Sequence, residues 1–218
     1  MKRFFRWFFY ALGVFVLALG IILNSKTGLG ISPLLSVSFS ISEIWELNLG
    51  VVNCIFYILL IGGEILLYKR VTAVEIMQLP FSFAFNYLVN IFTTWITYDH
   101  TRHSVGTNLA LLCLGIVLTG FGICLTVNMR LASNPGDGIT YALAWRLKWE
   151  HGFAKNVTDV VCVSTTCLIG LIFAGKIVGV GLGTVASMLC IGRVVAVVNY
   201  LFRDKMCRLA GVTVALAH

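Results

Sequence analysis

Residues 12–35, LGVFVLALGIILNSKTGLGISPLL, recur in altered form as residues 114–137, LGIVLTGFGICLTVNMRLASNPGD. A shift of 102 positions superposes identical residues at Leu12, Gly13, Gly20, Ile21, Leu23, Leu29 and Pro33 on Leu114, Gly115, Gly122, Ile123, Leu125, Leu131 and Pro135. Each copy is an apolar run, a short polar loop, and a Ser-Pro or Asn-Pro step into a second apolar run. The repeat predicts two related halves, about residues 7–97 and 108–202, within a single membrane domain of residues 1–218.

The composition excludes a soluble globule. Hydrophobic residues make up 59% of the chain, charged residues 11%, and the mean hydropathy is +0.93, whereas soluble domains carry about 25% charged residues. A bilayer core about 30 Å thick needs roughly 20 apolar residues per helix. Six windows qualify: residues 7–23, 49–68, 76–97, 108–127, 157–174 and 177–201.

Each half also contains a segment too short to cross a bilayer, residues 34–45 and 139–149. The predicted fold is therefore an all-α integral membrane protein with six transmembrane helices, arranged as two inverted three-helix repeats. Each repeat includes a short interrupted or re-entrant helix, with an interfacial position as the alternative. Three crossings per half is an odd number, so the second half must be inverted, as in alternating-access transporters.

The net charge of +7 comes from basic residues whose distribution indicates membrane orientation, and it does not indicate a nucleic acid partner. With the N-terminus in the cytoplasm, the outside segments hold only Lys26, Arg102 and Lys176. The inside segments hold Lys2, Arg3, Arg6, Lys69, Arg70, Arg130, Arg146, Lys148, Lys155, Arg203, Lys205 and Arg208. By the positive-inside rule, both termini are predicted to be cytoplasmic.

Both short segments begin with a helix-start signal. Ser32 and Asn134 suit the N-cap, and Pro33 and Pro135 suit the first helical turn, which needs no backbone N–H group. Two helix N-termini pointing inward would bind an anionic or carbonyl-bearing ligand. The alternative is a pair of surface turns, in which the glycines only let the chain bend. The predicted hinge or helix-start residues are Gly28, Gly30, Pro33, Pro135, Gly136 and Gly138.

Ionisable and polar residues inside the windows supply further candidates. An intramembrane Arg193 costs at least about 2.5 kcal/mol unless it is paired or hydrated, and its candidate ion partners are Glu64, Asp159 and Asp137. Arg193 is either a ligand or gate residue, or it has a structural role, as a static ion pair or as a side chain that extends toward the lipid headgroups. In the third window, Asn86 and Asn90 are expected to form interhelical hydrogen bonds.

The sequence contains no residue pattern typical of a metal site, a disulfide framework or a catalytic centre. The seven cysteines form no Cys-x-x-Cys pair and have no histidine at ligand spacing, so no metal site or disulfide framework is expected. The sequence contains no Ser-His-Asp, Cys-His or His-Glu-x-x-His constellation. We therefore expect neither an enzyme nor a bound cofactor.

Three motifs resemble the YczE/YitT-like family of bacterial multi-pass membrane proteins: residues 27–33 (TGLGISP), 134–138 (NPGDG) and 181–184 (GLGT). The resemblance runs over about residues 10–202 and keeps the family's motif order. Members are largely uncharacterised, so it implies a plasma-membrane protein and no substrate. In the family, the proline that ends the first motif is usually followed by Trp-Asp, whereas Leu34 and Leu35 follow Pro33 here. Asp137 is then the sole loop acid at the matching positions.

The predicted function is a secondary transporter or permease-like carrier of a small solute, anionic solutes included, in a bacterial plasma membrane. Ser32, Asn134, Asp137 and Arg193 are the predicted substrate-binding residues. The alternative is a non-transporting scaffold or assembly factor for a partner complex. The expected partners are the lipid bilayer and a solute, with a second copy of the chain or another membrane protein as additional candidates.

Overall fold

The computed structural model describes residues 2–132 and 134–212, which form helices and contain no strand. The eight helices in these ranges are α1 (Lys2–Lys26), α2 (Pro33–Ile44), α3 (Leu49–Tyr68), α4 (Ala73–Trp95), α5 (Val105–Asn128), α6 (Pro135–Leu147), α7 (His151–Ile169) and α8 (Leu182–Ala210). A π-helical turn, Gly170–Ala174, continues α7, and a short 3-10 turn, His100–Arg102, precedes α5.

The prediction of an all-α membrane protein is confirmed. Among the described residues, five helices are long and apolar enough to cross a bilayer: Lys2–Lys26, Leu49–Tyr68, Val105–Asn128, Gly152–Ala174 and Leu182–Ala210. The predicted third window corresponds to α4, whose 23 residues span about 35 Å at 1.5 Å per residue. It does not belong to the five because Gln78, Ser82, Asn86 and Asn90 lower its hydropathy.

The last predicted window begins too early. Residues 177–181 are not helical, and α8 begins at Leu182. The backbone of this loop bonds to the first repeat loop instead: Ile31 N donates to Gly179 O at 3.2 Å, and Gly183 N donates to Leu29 O at 2.6 Å. The left-handed Gly179, with a φ of 81°, gives a conformation that an apolar window cannot reveal.

Helices α1 and α5, which carry the matched repeat, form the most extensive helix pair. They are antiparallel, because Gly13 of α1 lies against Leu125 and Thr126, whereas Gly20 lies against Thr119 and Gly115. The matched glycines make the close approach possible: a Cβ on Gly122 would lie 2.6 Å from Leu17 N. Small residues at such crossings let helix backbones pack closely in membranes.

Each short helix packs along about half the length of a long helix from the opposite repeat. Helix α6 begins beside Tyr57, near the middle of α3, and ends where Trp145 contacts Tyr68 at the end of α3, with ring centroids 5.3 Å apart. Helix α2 follows α7 in the same manner. Its Ser36 Oγ lies 2.7 Å from Thr166 Oγ1, and Trp45, just after α2, lies 5.1 Å from the Phe173 ring.

Helix α2 is enclosed by protein. Four serines occupy every second position, which places them on different faces of the helix, and all four are buried: Ser36, Ser38, Ser40 and Ser42. A helix lying at a membrane surface would expose one face. Helix α2 is therefore an internal element of the fold.

The molecule has two ends, which we name by their loops. At the Arg130 end, Arg6 Nε donates to Met129 O and its Nη2 donates to Arg130 O, each at 2.8 Å. Gly211 lies against the Lys2 side chain, so α1 begins and α8 ends at this same end. The Lys26 end holds the opposite helix termini. Helix α4 connects the two ends, with Val74 near Arg130 and Thr94 lining a cavity with Lys26.

Candidate functional site

The first turns of α2 and α6 meet inside the protein. Pro33 and Pro135 occupy the first helical positions, as predicted. Leu34 of α2 packs directly on Gly136 of α6, so closely that a Cβ on Gly136 would overlap the Leu34 methyl groups. We call this junction the tip contact. It brings the predicted residues Ser32 and Asn134 into one region of the fold.

The two N-cap residues differ in their bonding. Asn134 Oδ1 accepts a hydrogen bond from Gly136 N at 2.9 Å, and its Nδ2 donates to the Tyr57 hydroxyl at 3.2 Å. Ser32 occupies the N-cap position of α2 but makes no side-chain cap hydrogen bond. Asn134 is therefore held by α3, whereas the half-buried Ser32 hydroxyl leaves the N-terminus of α2 uncapped.

The predicted hinge glycines lie at tight contacts. Gly28 and Gly30 have φ values of 69° and 111°, which only glycine adopts readily. Gly28 packs on the His100 ring, Gly30 packs on Gly181 and Thr184, and Gly138 packs on Glu64. Two of the three sequence motifs, residues 27–33 and 181–184, thus contact each other. A hinge role for these glycines stays a prediction.

The ion pair expected for Arg193 does not form. The Arg193 side chain is exposed on α8, and its candidate partner Asp159 pairs instead with Lys155, with the Lys155 Nζ to Asp159 Oδ1 distance at 2.9 Å. Glu64 instead accepts a hydrogen bond from Gln78. Asp137 is half-buried in the first turn of α6. The reason is geometric: the acids lie on α3, α6 and α7, whereas α8 packs mainly on α5 and α1 and turns Arg193 outward.

A row of polar side chains lies between α3 and α4, buried except for the half-buried Asn90, and is here called the α3–α4 seam. The sequence predicted only part of it. Asn53 Nδ2 donates to Asn86 Oδ1 at 2.7 Å, and Gly50 N donates to Asn90 Oδ1 at 3.0 Å, which confirms the interhelical bonds predicted for both asparagines. The sequence feature that could have revealed the other seam residues of α4 is the four-residue spacing of its polar positions, which places them on one face of the helix. The seam comprises Asn53 and Glu64 of α3, and Gln78, Ser82, Asn86 and Asn90 of α4.

Two cavities open at opposite ends of the molecule. The one at the Lys26 end has a volume of about 700 Å³, and the one at the Arg130 end about 220 Å³. Four of the six residues that line the small cavity correspond, through the 102-residue shift of the repeat, to residues that line the large one. The matched pairs are Ser25 and Val127, Gly28 and Arg130, Gly30 and Ala132, and Phe39 and Tyr141.

The lining of the large cavity is about half polar and carries both signs of charge. Lys26 and His100 contribute basic groups, and Glu43 and Glu46 contribute acidic ones. Asn90 brings the α3–α4 seam to the cavity wall. Such a lining suits a small polar solute more than an apolar one.

Comparisons with known proteins agree with a membrane protein. A family model described as "Family of unknown function (DUF6198)" matches residues 4–200. The chain is 24% identical to the "Uncharacterized membrane protein YczE" of Bacillus subtilis (strain 168) over 195 residues, 86% of this chain and 82% of the relative. It is 25% identical to the "Uncharacterized protein YyaS" of the same organism over 188 residues, 86% of this chain and 88% of that protein.

A third relative, an "Uncharacterized protein" of Haemophilus influenzae, is 32% identical over 82 residues, 38% of this chain and 34% of its own length. No solved structure matches the chain. The resemblance to YczE-like proteins is thereby confirmed.

Proposed function

The chain belongs to the family of unknown function DUF6198, and we propose that it is a secondary carrier for a small polar solute. In this proposal six helices cross the membrane, with α4 as the sixth, and the two halves are inverted repeats. Helices α2 and α6 are re-entrant. Solute reaches the tip contact alternately from the two ends of the molecule.

The inversion is supported by how the halves pack. Helices α1 and α5 hold equivalent positions in the repeat and run antiparallel. Helix α2 packs on α7, and α6 packs on α3, so each short helix docks on the third helix of the other half. These pairings exchange into one another under a twofold axis in the membrane plane, which is the symmetry of many secondary transporters.

One observation carries the proposal: the two cavities share four repeat-related lining positions and have unequal volumes, about 700 Å³ against about 220 Å³. In a protein built from inverted repeats, exchanging the conformations of the halves would close the large cavity and open the small one. The proposed carrier is thus open at the Lys26 end. Following the distribution of basic residues, we place that end outside a bacterial plasma membrane and both termini in the cytoplasm.

We assign solute binding to the tip contact. The N-termini of α2 and α6 carry partial positive charge, and Ser32, Asn134 and Asp137 supply polar groups at those tips. A role for Arg193 in binding or gating is part of the same proposal. No catalytic step and no cofactor are involved.

The test is solute flux in proteoliposomes. Vesicles containing the purified protein are loaded with a panel of phosphate, sulfate, small carboxylates and amino acids, and counterflow is measured for wild type, Asp137→Asn, Arg193→Ala and the control Arg102→Ala. We expect flux of one class of solute, lost in Asp137→Asn and kept in Arg102→Ala. Wild-type vesicles that carry none of the panel contradict the carrier proposal. Flux unaffected by both Asp137→Asn and Arg193→Ala removes those residues from the mechanism.

A scaffold for a partner complex is the second candidate, and one observation favours it. Arg193 lies on an exposed face of α8 together with Leu189 and Val197. An arginine in the hydrocarbon region is costly unless an acidic or hydrated partner covers it. This candidate therefore predicts a co-purifying membrane protein with an acidic side chain in a membrane helix. Loss of that protein from Arg193→Ala preparations, with no solute flux in wild type, would favour the scaffold over the carrier.

A further inference from the structure

Glu64 is an acidic side chain buried in the membrane-spanning helix α3. It is 3% exposed and lies one turn before the end of the helix. Gln78 Nε2 donates a hydrogen bond to Glu64 Oε2 at 3.0 Å, and Gly138 of α6 packs on the same oxygen. Within the part of the chain that the structure describes, Glu64 forms no ion pair with a basic group. Ionisable groups at such positions commonly belong to proton relays.

The charged surroundings of Glu64 leave it without a counter-ion. On α4, Glu75 acts electrostatically on Glu64, but its carboxylate is already bonded by the Thr72 backbone N–H and hydroxyl groups. The residue of α6 that contacts Glu64 is Gly138. The charge of the neighbouring Asp137 interacts instead with a separate group of ionisable residues, Tyr57, Tyr141, Lys155 and Asp159. Near this end of α3 lie Tyr68, the C-cap residue Lys69 and Arg70, and the two basic side chains are exposed. The acids Glu43 of α2 and Glu46 just after it line the cavity at the opposite end.

The α3–α4 seam connects Glu64 to the large cavity. From Asn90 at the cavity wall, the side chains of Asn86, Ser82 and Gln78 follow at four-residue spacing, so they share one face of α4. Asn86 Nδ2 donates to Ser82 O and Ser82 Oγ donates to Gln78 O, each at 2.8 Å. The buried Asn53 Oδ1 accepts no hydrogen bond from the described residues, so it can accept one from water.

The repeat indicates that packing alone does not require an acid at this position. Shifted by 102 residues, Glu64 corresponds to Thr166 and Gly138 corresponds to Ser36. In the second half, the same place between a long and a short helix is filled by a pair of neutral hydroxyl groups 2.7 Å apart. The carboxyl group of Glu64 therefore serves something other than the docking of the short helix.

We propose that Glu64 is the proton-binding group of the carrier, and that the α3–α4 seam conducts protons to it from the large cavity. This inference rests on the proposed function and names its coupling ion. In this proposal water molecules that enter along the seam relay the proton as hydronium, and the Glu64 carboxylate takes one proton from it, which leaves a neutral carboxylic acid and water. In the opposite conformation the acid returns that proton to water at the Arg130 end.

The experiment uses protons as the only probe. Infrared difference spectra of the full chain in lipid are recorded as the pH is raised, for wild type, Glu64→Gln and the control Glu150→Gln, whose parent side chain is exposed. We expect a carboxylic acid C=O band that disappears at high pH in wild type and in Glu150→Gln and is missing from Glu64→Gln. Persistence of the complete band in Glu64→Gln overturns the proposal.

A second variant covers the case in which Glu64→Gln does not fold. Asn86→Leu keeps Glu64 and interrupts the seam, so we expect the same band to respond several-fold more slowly after a pH jump. An unchanged rate overturns the assigned route.

Solute flux distinguishes this proposal from the proposed function. If the panel solutes move in wild type, Glu64→Gln is expected to keep counterflow and lose accumulation driven by a pH gradient. Accumulation that survives the substitution overturns proton coupling at Glu64 and leaves the carrier intact. If no solute moves, the carrier proposal fails, and the infrared band alone decides whether Glu64 binds a proton.

Discussion

Asn134 bonds two helices with one side chain. Its Oδ1 caps α6 and its Nδ2 donates to the Tyr57 hydroxyl of α3. The Tyr57 side chain is 2% exposed and its ring stacks with Phe85 at a centroid distance of 5.8 Å. The position of the tip contact thus depends on a hydroxyl group in the protein interior.

Tyr57→Phe should destabilise the protein because it removes the acceptor for Asn134 Nδ2 while keeping the ring. The expected loss is about 0.5–1.5 kcal/mol, the usual net value of one hydrogen bond. Thermal unfolding in detergent measures it. Tyr87→Phe is the matched control, since Tyr87 is 68% exposed, and an equal loss in both variants would contradict this role for Tyr57.

At the scale of elements, helix packing decides which glycines are needed. A Cβ at Gly122 would meet the Leu17 backbone of α1, whereas a Cβ at Gly192 of α8 has no heavy atom within 4 Å. The same residue type is therefore essential for close approach in one helix and exchangeable in another. Packing also explains the polar residues of α4, because they lie on the face that contacts α3 and not on a face exposed to lipid.

Gly122→Ala should separate α1 from α5 and cost about 1–3 kcal/mol, the usual effect of overpacking. Gly192→Ala should be neutral or stabilising by up to about 1 kcal/mol, because alanine is the better helix former. Unfolding of the two variants in the same detergent gives the comparison. Equal stability of both would show that the α1–α5 crossing tolerates a wider separation.

At the scale of the whole molecule, two hydrogen bonds join α1 to the loop after α5 at the Arg130 end. Arg6 of α1 donates to the carbonyl groups that follow α5, Met129 O and Arg130 O. Ala132, 4% exposed, lines the small cavity next to this loop. If the protein is the carrier proposed above, opening of the Arg130 end is expected to break these two hydrogen bonds.

Arg6→Ala should favour the conformation that is open at the Arg130 end. In a background without native cysteines, a thiol reagent should label Ala132→Cys several-fold faster when Arg6→Ala is also present. Arg3→Ala is the control, because Arg3 is exposed on the same helix. An unchanged labelling rate with Arg6→Ala would mean that Arg6 does not hold this end closed.

The sequence alone determined the membrane class, the repeat and the starts of both short helices, because hydropathy, a 102-residue shift and Ser-Pro or Asn-Pro steps are local signals. Only the tertiary structure decided what those segments contact. It placed Leu34 on Gly136, turned Arg193 away from the acids and brought Glu64 against Gln78. The physical reason is that side-chain partners in a helical membrane protein depend on helix rotation and crossing angle, which are set by packing between distant segments.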